Sequence, residues 1–188
     1  MIGVFLGMMN SDNLLSVSRI PGPYDMTGNG ISAAGARLSF VFAMRGPCIS
    51  MDTACSSSLV ATHIAECAKA LSQGSNMILS PSGAFLMFAI AGMLSRQGRC
   101  HTFDQRANGY SRAEGYVAMF NSRYRTQDEP AQDEPGLAYL GSCCLHNGQS
   151  ATFTALNGSS QRHLLRRVGV TAICFVEAHG TGTSLGDP

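Results

Sequence analysis

The chain has 188 residues, of which 45% are hydrophobic and 13% charged, and a formal net charge of +1. That length suits one domain with a real core, and so small a charge offers no electrostatic case for nucleic acid or an anionic membrane. The charged fraction is below the roughly 25% usual in soluble domains, which suggests a surface meant to be covered by further chain or a partner subunit.

Residues 2–8 (IGVFLGM) are a short apolar run closed by Asn10, Ser11 and Asp12. This is the pattern of a buried strand, and without a basic region before it, not that of a signal peptide. Residues 21–30 are dense in Gly and Pro and read as turns. Residues 32–44 (SAAGARLSFVFAM) suit a helix packed through small side chains, stopped by Gly46-Pro47, and residues 48–51 a short strand. From Ser56, positions 59, 60, 63, 64, 67, 68 and 71 recur at helical spacing, so a helix is expected as far as Gly74. Ser56, Ser57 and Ser58 stand where its free N–H groups need acceptors. Residues 76–80 look strand-like and 81–83 a turn. Residues 84–94 form a second apolar helix, too short for the about 20 residues a bilayer requires.

Residues 98–115 are loop-rich and 116–120 a strand. The repeat QDEP-A-QDEP at 127–135 is a solvated loop. Short strands are expected at 137–140 and 173–176, with a basic helix at 161–167 whose charged face is solvated. Alternation of strands and helices argues for α/β layers, in one domain or part of one. The seven cysteines are odd in number and show no paired spacing, so free thiols in a reducing, soluble compartment are expected.

Two stretches carry chemistry. In DTACSSSL, residues 52–59, Cys55 stands between a strand and the first turn of a helix. Unpaired N–H groups there favour thiolate over thiol and could hold an oxyanion, and strand–nucleophile–helix elbows recur in enzymes. The competing reading is a small apolar core residue, which is the reading given to Cys48, Cys67 and Cys174. In VEAHGTGTSLGDP, residues 176–188, an apolar strand ends in His179 and a Gly/Thr loop follows, with hydroxyls at Thr181 and Thr183. Strand ends reach clefts in α/β folds, although a lone histidine is more often structural. The glycine spacing does not match a dinucleotide fingerprint. Cys100-His101 and Cys143-Cys144-x-His146 lack zinc-site spacing, so no metal is expected. Arg112 and Glu114 read as structural, an internal ion pair.

Together, DTACSSSLVA and EAHGTGTSLGDP resemble the nucleophile motif and first active-site histidine motif of β-ketoacyl synthase (ketosynthase) domains of modular polyketide and type I fatty-acid synthases. TGNGISAAGARLSFVFAMRGPCISMDTACSSSL, AGMLSRQGRCHTFDQRANGYSRAEG and GSCCLHNGQSATFTALNG resemble further segments of that family in the same order. The spacings from Cys55 to Pro81 and from Gly158 to His179 are short for the family. Leu145-His146-Asn147 replaces its usual Asn-Gln-Asp, and Leu156 replaces a proline. The family's second active-site histidine and its lysine would lie beyond Pro188, so an internal fragment is expected.

The resemblance implies a thiolase-like layered α-β-α-β-α fold, incomplete, with 1–188 as one partial ketosynthase domain. It implies Cys55 as acyl-accepting nucleophile, His179 as hydrogen-bond donor to the extender thioester, and Thr181 and Thr183 on the phosphopantetheine arm. The substrate would be acyl groups on a phosphopantetheine-linked acyl carrier protein, with no cofactor bound directly. The full domain would be a homodimer in the cytoplasm, a plastid being left open, and would bind neither nucleic acid nor membrane. The chain alone is expected to be inactive. Two other readings are a non-catalytic, truncated scaffold and a cysteine hydrolase using Cys55 and His179.

Overall fold

A computed structural model describes residues 1–9, 20, 22–66, 70–76, 83–121, 138–169, 172–184 and 186–187. The chain divides into two compact units, one of Met1–Ser11, Pro21–Asn76 and Tyr116–Cys144, the other of Asp12–Ile20, Met77–Gly115 and Leu145–Pro188.

In the first unit the opening apolar run forms β1, Gly3–Met8, buried over its first five residues. It lies inside a four-stranded sheet of order β2-β1-β3-β4, with β2 at Cys48–Met51, β3 at Ala70–Asn76 and β4 at Gly115–Asn121. β1 pairs in parallel with both neighbours, Phe5 standing opposite Ile49 on one side and Ser72 on the other. Parallel neighbours need long crossovers. Helices α1, Asp25–Asn29, and α2, Ile31–Val41, supply the first, and α3, Ser57–Ala65, the second.

Side chains alternate along a strand, so the register assigns the faces. Val4, Leu6, Cys48 and Ser50 share one face, and α2 covers it: the Gly35 N–H donates to Ser50 Oγ at 3.2 Å. Phe5, Gly7, Ser72 and Gly74 share the other, and α3 covers that one. Phe5, Ala61, Ala65 and Ala70 form its core, with Met51 packed against them, and Thr62 Oγ1 donates to Ser72 Oγ at 3.3 Å.

The helix expected from Ser56 to Gly74 stops at Ala65, and Leu71 and Gly74 are in β3. Six consecutive pairs along β1, from Gly3↔Ala70 to Met8↔Ser75, satisfy the backbone of this segment, and such pairing outweighs helical spacing alone. Cys67 and Ala68 lie outside the described residues. Short α1 occupies part of the segment read as turns, its approach fixed by Asp25 Oδ2, which accepts the Gly22 N–H at 2.5 Å. Cys48 is exposed rather than in the core, because β2 is an edge strand, and Cys174 is exposed as well.

In the second unit α4, Gly83–Ile90, ends at a turn where Gly92 takes φ 69°. Arg112 lies over the rings of Phe85 and Phe88, 5.7 and 5.1 Å from their centroids, a cation–π arrangement. A single parallel bridge, Leu94↔Tyr110, pins the loop between them. Helix α5, Gly158–Val168, is capped by Asn157, whose side chain accepts from the Ser159 and Ser160 N–H groups, and closes at Gly169 with φ 71°. The strands expected at 137–140 and 173–176 do not form: residues 138–140 and 173–176 are irregular. A strand exists only as a pairing, and among the described residues nothing offers either segment a ladder. The acidic repeat at 127–135 lies outside the described residues.

Large apolar side chains stand in solvent, including Phe40 at 87%, and neighbours Tyr116 and Val117 on β4 are exposed at 60% and 63%. Neighbours on a strand point to opposite sides, so β4 is uncovered on both faces. The low charged fraction of the sequence has this counterpart in the fold. Among the described residues no helix is long and apolar enough to cross a membrane.

Candidate active site

Cys55 sits on a sharp elbow. β2 ends at Met51, a 3-10 turn spans Ala54–Ser56, and α3 begins at Ser57. Ala54 takes φ 55°, a left-handed conformation that costs a non-glycine residue about 1–3 kcal/mol and persists only where the surroundings impose it. Here they do. Asp52 Oδ1 accepts the Ala54 N–H at 2.9 Å. Ser57 Oγ accepts the Thr53 N–H at 2.8 Å and donates to the Ala54 carbonyl at 2.7 Å. Ser56 Oγ donates to the Thr53 carbonyl at 2.9 Å.

The serines expected to cap α3 therefore lock the turn before it; Ser56, at the N-cap, makes no side-chain cap bond. The result is an exposed Cys55. Among the described residues its own N–H has no hydrogen-bond acceptor, while those of Ala54 and Ser56 are engaged by Asp52 and by the Thr53 carbonyl. A thiol beside a free N–H suits a carbonyl that becomes negatively charged when sulfur adds to it.

The elbow rests on glycine. Gly7 and Gly74 stand opposite each other on the α3 face of the sheet. A Cβ on Gly7 would lie 2.3 Å from the Ser57 carbonyl carbon, and one on Gly74 would lie 2.4 Å from Ser58 Cβ. Only this paired bare floor lets the start of α3, and Cys55 before it, lie so close to the strands. At the far end of α3, Ser142 Oγ donates to Glu66 Oε2 at 2.7 Å and lies 2.5 Å from His63 Nδ1. His63, placed on the buried stripe by periodicity, is half-exposed and polar-bonded.

His179, Thr181 and Thr183 belong to the second unit. His179 is exposed and opens a turn in which Gly180 and Gly182 take φ 53° and 73°. The turn is moored to residues 100–109: Thr102 Oγ1 donates to the Gly180 carbonyl at 2.7 Å, and the Gly109 N–H to the Gly182 carbonyl at 3.0 Å. A Cβ on Gly182 would stand 2.7 Å from the His101 nitrogen, so backbone approach demands glycine there as strongly as φ does. Thr181 and Thr183 hydroxyls are 3.1 Å apart.

Asp187, which composition and spacing did not single out, joins the parts: its carboxylate accepts the Gly182 N–H at 2.5 Å, the Phe103 N–H at 3.4 Å and the Thr181 hydroxyl at 3.3 Å. Its one sequence signal is an anion closing a loop of free N–H and O–H donors. In the mooring segment Arg106 grips Asp104 at 2.6 and 3.0 Å. Its side-chain hydrogen bonds, and then its backbone N–H, hold the Asp104 carboxyl far below the usual carboxylate range.

Asn147, standing in the altered Leu-His-Asn triplet, anchors the start of α5. Its Nδ2 donates to the Ala155 carbonyl at 2.9 Å, and its Oδ1 accepts the Asn157 N–H at 3.1 Å. Burial, and then the neighbouring Cys143, push the Cys144 thiol up from its ordinary pKa. Among the described residues no three His, Cys, Asp or Glu side chains gather as a metal site would.

Residues 1–125 match the family described as "Beta-ketoacyl synthase, N-terminal domain" and residues 137–188 "Beta-ketoacyl synthase, C-terminal domain". The chain belongs to the β-ketoacyl synthase family. Within that family, an acyltransferase family that acts on carrier-bound substrates, its sequence is of the modular, type I polyketide synthase kind. It is 38% identical to a phenolphthiocerol/phthiocerol polyketide synthase protein of Mycobacterium tuberculosis over 205 residues, covering 98% of this chain and 9% of that protein. It is 37% identical to prosolanapyrone synthase of Alternaria solani, covering 99% of this chain and 8% of that one.

Among solved structures, the ketosynthase from module 6 of the bacillaene synthase of Bacillus subtilis 168 superposes with TM-score 0.79 at 34% identity, over 99% of this chain and 33% of that one. An oxazolomycin ketosynthase domain from Streptomyces albus JA3453 gives TM-score 0.79 at 31% identity, over 99% and 34%. The β-ketoacyl synthase chain thus has the thiolase-like ketosynthase fold and spans about a third of a solved ketosynthase. The 205 positions aligned with the Mycobacterium tuberculosis protein exceed the 188 residues of this chain, so that relative carries residues this chain lacks.

Proposed function

We propose that these residues serve a β-ketoacyl synthase reaction as part of one ketosynthase domain, with Cys55 as nucleophile. The Cys55 thiolate adds to the carbonyl of an acyl thioester on a phosphopantetheine-linked acyl carrier protein, and the carrier thiol leaves. A malonyl-type extender on a second carrier then loses carbon dioxide, and its enolate carbon attacks the acyl group on Cys55. The Cys55 thiolate departs and a β-ketoacyl chain remains on the carrier. In this reading His179 donates an N–H to the extender thioester oxygen as the enolate forms, which requires a neutral imidazole. Thr181 and Thr183 hold the phosphopantetheine arm. The reaction needs no cofactor of the protein's own, and we place it in the cytoplasm, in a domain that dimerises through apolar surface such as the uncovered faces of β4.

The observation that carries this reading is the exposed Cys55 on a strained strand–helix elbow, its own N–H having no acceptor among the described residues. Iodoacetamide tests it directly. Fast modification of Cys55 over the other six thiols is expected, and incubation with an acyl-pantetheine thioester should add one acyl mass that Cys55→Ala abolishes when the remainder of a ketosynthase domain is supplied. Slow, uniform labelling with no acyl adduct would instead favour a non-catalytic scaffold. Ester or peptide cleavage without any carrier would favour a hydrolase, and condensation turnover by the 188-residue chain alone would overturn the view that it needs the rest of the domain.

A further inference from the structure

We infer that Asp187 is a positioning residue that turns the Thr181–Thr183 hydroxyl pair into a face that only accepts hydrogen bonds. The turn therefore recognises amide N–H groups on its ligand. This rests on the arm-binding role proposed above for the two threonines, and it deepens that role.

The inference comes from counting protons. An ionised carboxylate accepts and never donates. Asp187 Oδ1 lies 3.3 Å from Thr181 Oγ1, so the Thr181 proton is committed to it. The two threonine oxygens are 3.1 Å apart. With the Thr181 proton spent, the bond between them can form only if Thr183 donates. Thr183 Oγ1 also accepts the Gly186 N–H at 3.0 Å. Each hydroxyl oxygen has one proton and two lone pairs. Thr181 has given its proton to Asp187 and accepts from Thr183; Thr183 has given its proton to Thr181 and accepts from Gly186. Among the described residues, what remains for a ligand is one lone pair on each oxygen and no proton.

The other carboxylate oxygen fixes the frame in which this happens. Asp187 Oδ2 accepts the N–H of Gly182, the residue between the two threonines, at 2.5 Å, and that of Phe103 in the mooring segment at 3.4 Å. One side chain thus sets both the position of the turn after His179 and the direction of its hydroxyl chain. An asparagine in its place presents an N–H₂ as well as a carbonyl, and a donor aimed at Thr181 would reverse the chain and restore a free proton.

The test is a titration of the chain followed through the Thr181 and Thr183 methyl resonances. The ligands are pantetheine and an analogue in which ester oxygens replace its amide N–H groups. The wild-type chain should bind pantetheine about tenfold more tightly than the analogue, the worth of one ordinary hydrogen bond, and Asp187→Asn should bring the two within about twofold of each other. Equal affinities in the wild type would overturn the inference with no variant needed. So would a preference that survives in a folded Asp187→Asn protein. Should neither ligand move the methyls, the arm-binding role of the threonines fails and this inference with it. Equal movement by both removes the inference and leaves that role standing.

Discussion

Gly7→Ala adds one methyl group to the floor beneath the Cys55 elbow. The new Cβ would lie 2.3 Å from the Ser57 carbonyl carbon, 2.4 Å from its oxygen and 2.6 Å from the Ser58 nitrogen, where ordinary contact begins at 3.4 Å. All three are backbone atoms at the start of α3, and none can swing aside as a side-chain tip can. The helix start must rise by about 1 Å, or β1 must bow, and overpacking of this kind costs about 1–3 kcal/mol. For a domain of this size, about 2 kcal/mol lowers Tm by roughly 4–8 °C. Because Ser57 Oγ bonds both the Thr53 N–H and the Ala54 carbonyl, lifting Ser57 also loosens the turn that carries Cys55. Thermal denaturation followed by circular dichroism should show the fall, and iodoacetamide labelling should show a changed rate at Cys55 but not at Cys100. Gly28→Ala is the control: it has open space around its Cβ position and lies in α1, where alanine should be neutral or stabilise by about 0.5–1 kcal/mol. If Gly7→Ala melts with the wild type and labels at the same rate, the paired-glycine account of the elbow is wrong.

Ser57→Ala removes an acceptor from the Thr53 N–H and a donor from the Ala54 carbonyl in a buried setting. It should cost about 1–3 kcal/mol in urea unfolding, and clearly more than Ser56→Ala, whose hydroxyl is exposed. Gly182→Ala meets both a left-handed φ of 73° and a Cβ position 2.7 Å from the His101 nitrogen, so faster hydrogen exchange at Gly109, whose N–H bonds the Gly182 carbonyl, is the expected result. The Asp104 carboxyl is depressed by Arg106. The stability it contributes is therefore present above the ordinary carboxylate pKa and lost as pH falls through its lowered value. Arg106→Gln should raise its titration, read by carboxyl carbon shifts, toward the ordinary value near 4 but short of it, because the backbone N–H of residue 106 still donates to Asp104 Oδ1. Burial and Cys143 raise the Cys144 thiol, so thiolate-dependent labelling of Cys144 should be slow at pH 8 and should speed up in Cys143→Ala; no change between the two proteins would count against that coupling.

Much of the geometry of the candidate site is local, and for that reason it was legible in the sequence. A tight turn between an apolar strand and a helix depends on neighbours within a few positions, so residues 48–59 state their own geometry: small residues, an aspartate and hydroxyls that close the elbow on itself. The strand at Gly3–Met8, the helix at Ile31–Val41 and the α/β class followed from apolar patterning in the same way. The motif pair around Cys55 and His179 also carried the family, which the matches over residues 1–125 and 137–188 establish.

What sequence alone could not decide was anything that depends on a distant partner. Leu71 to Gly74 have helical spacing, yet they form a strand because β1 offers a full ladder. Residues 173–176 have strand-like composition, yet they stay irregular because no described residue pairs with them. Gly7 and Gly74 looked like unrelated small residues until the register set them side by side, and Asp187 was one carboxylate among the chain's 12 acidic residues until folding surrounded it with donors. A hydrogen bond or a close approach is a property of two atoms in space, and a linear pattern shows only one of them at a time.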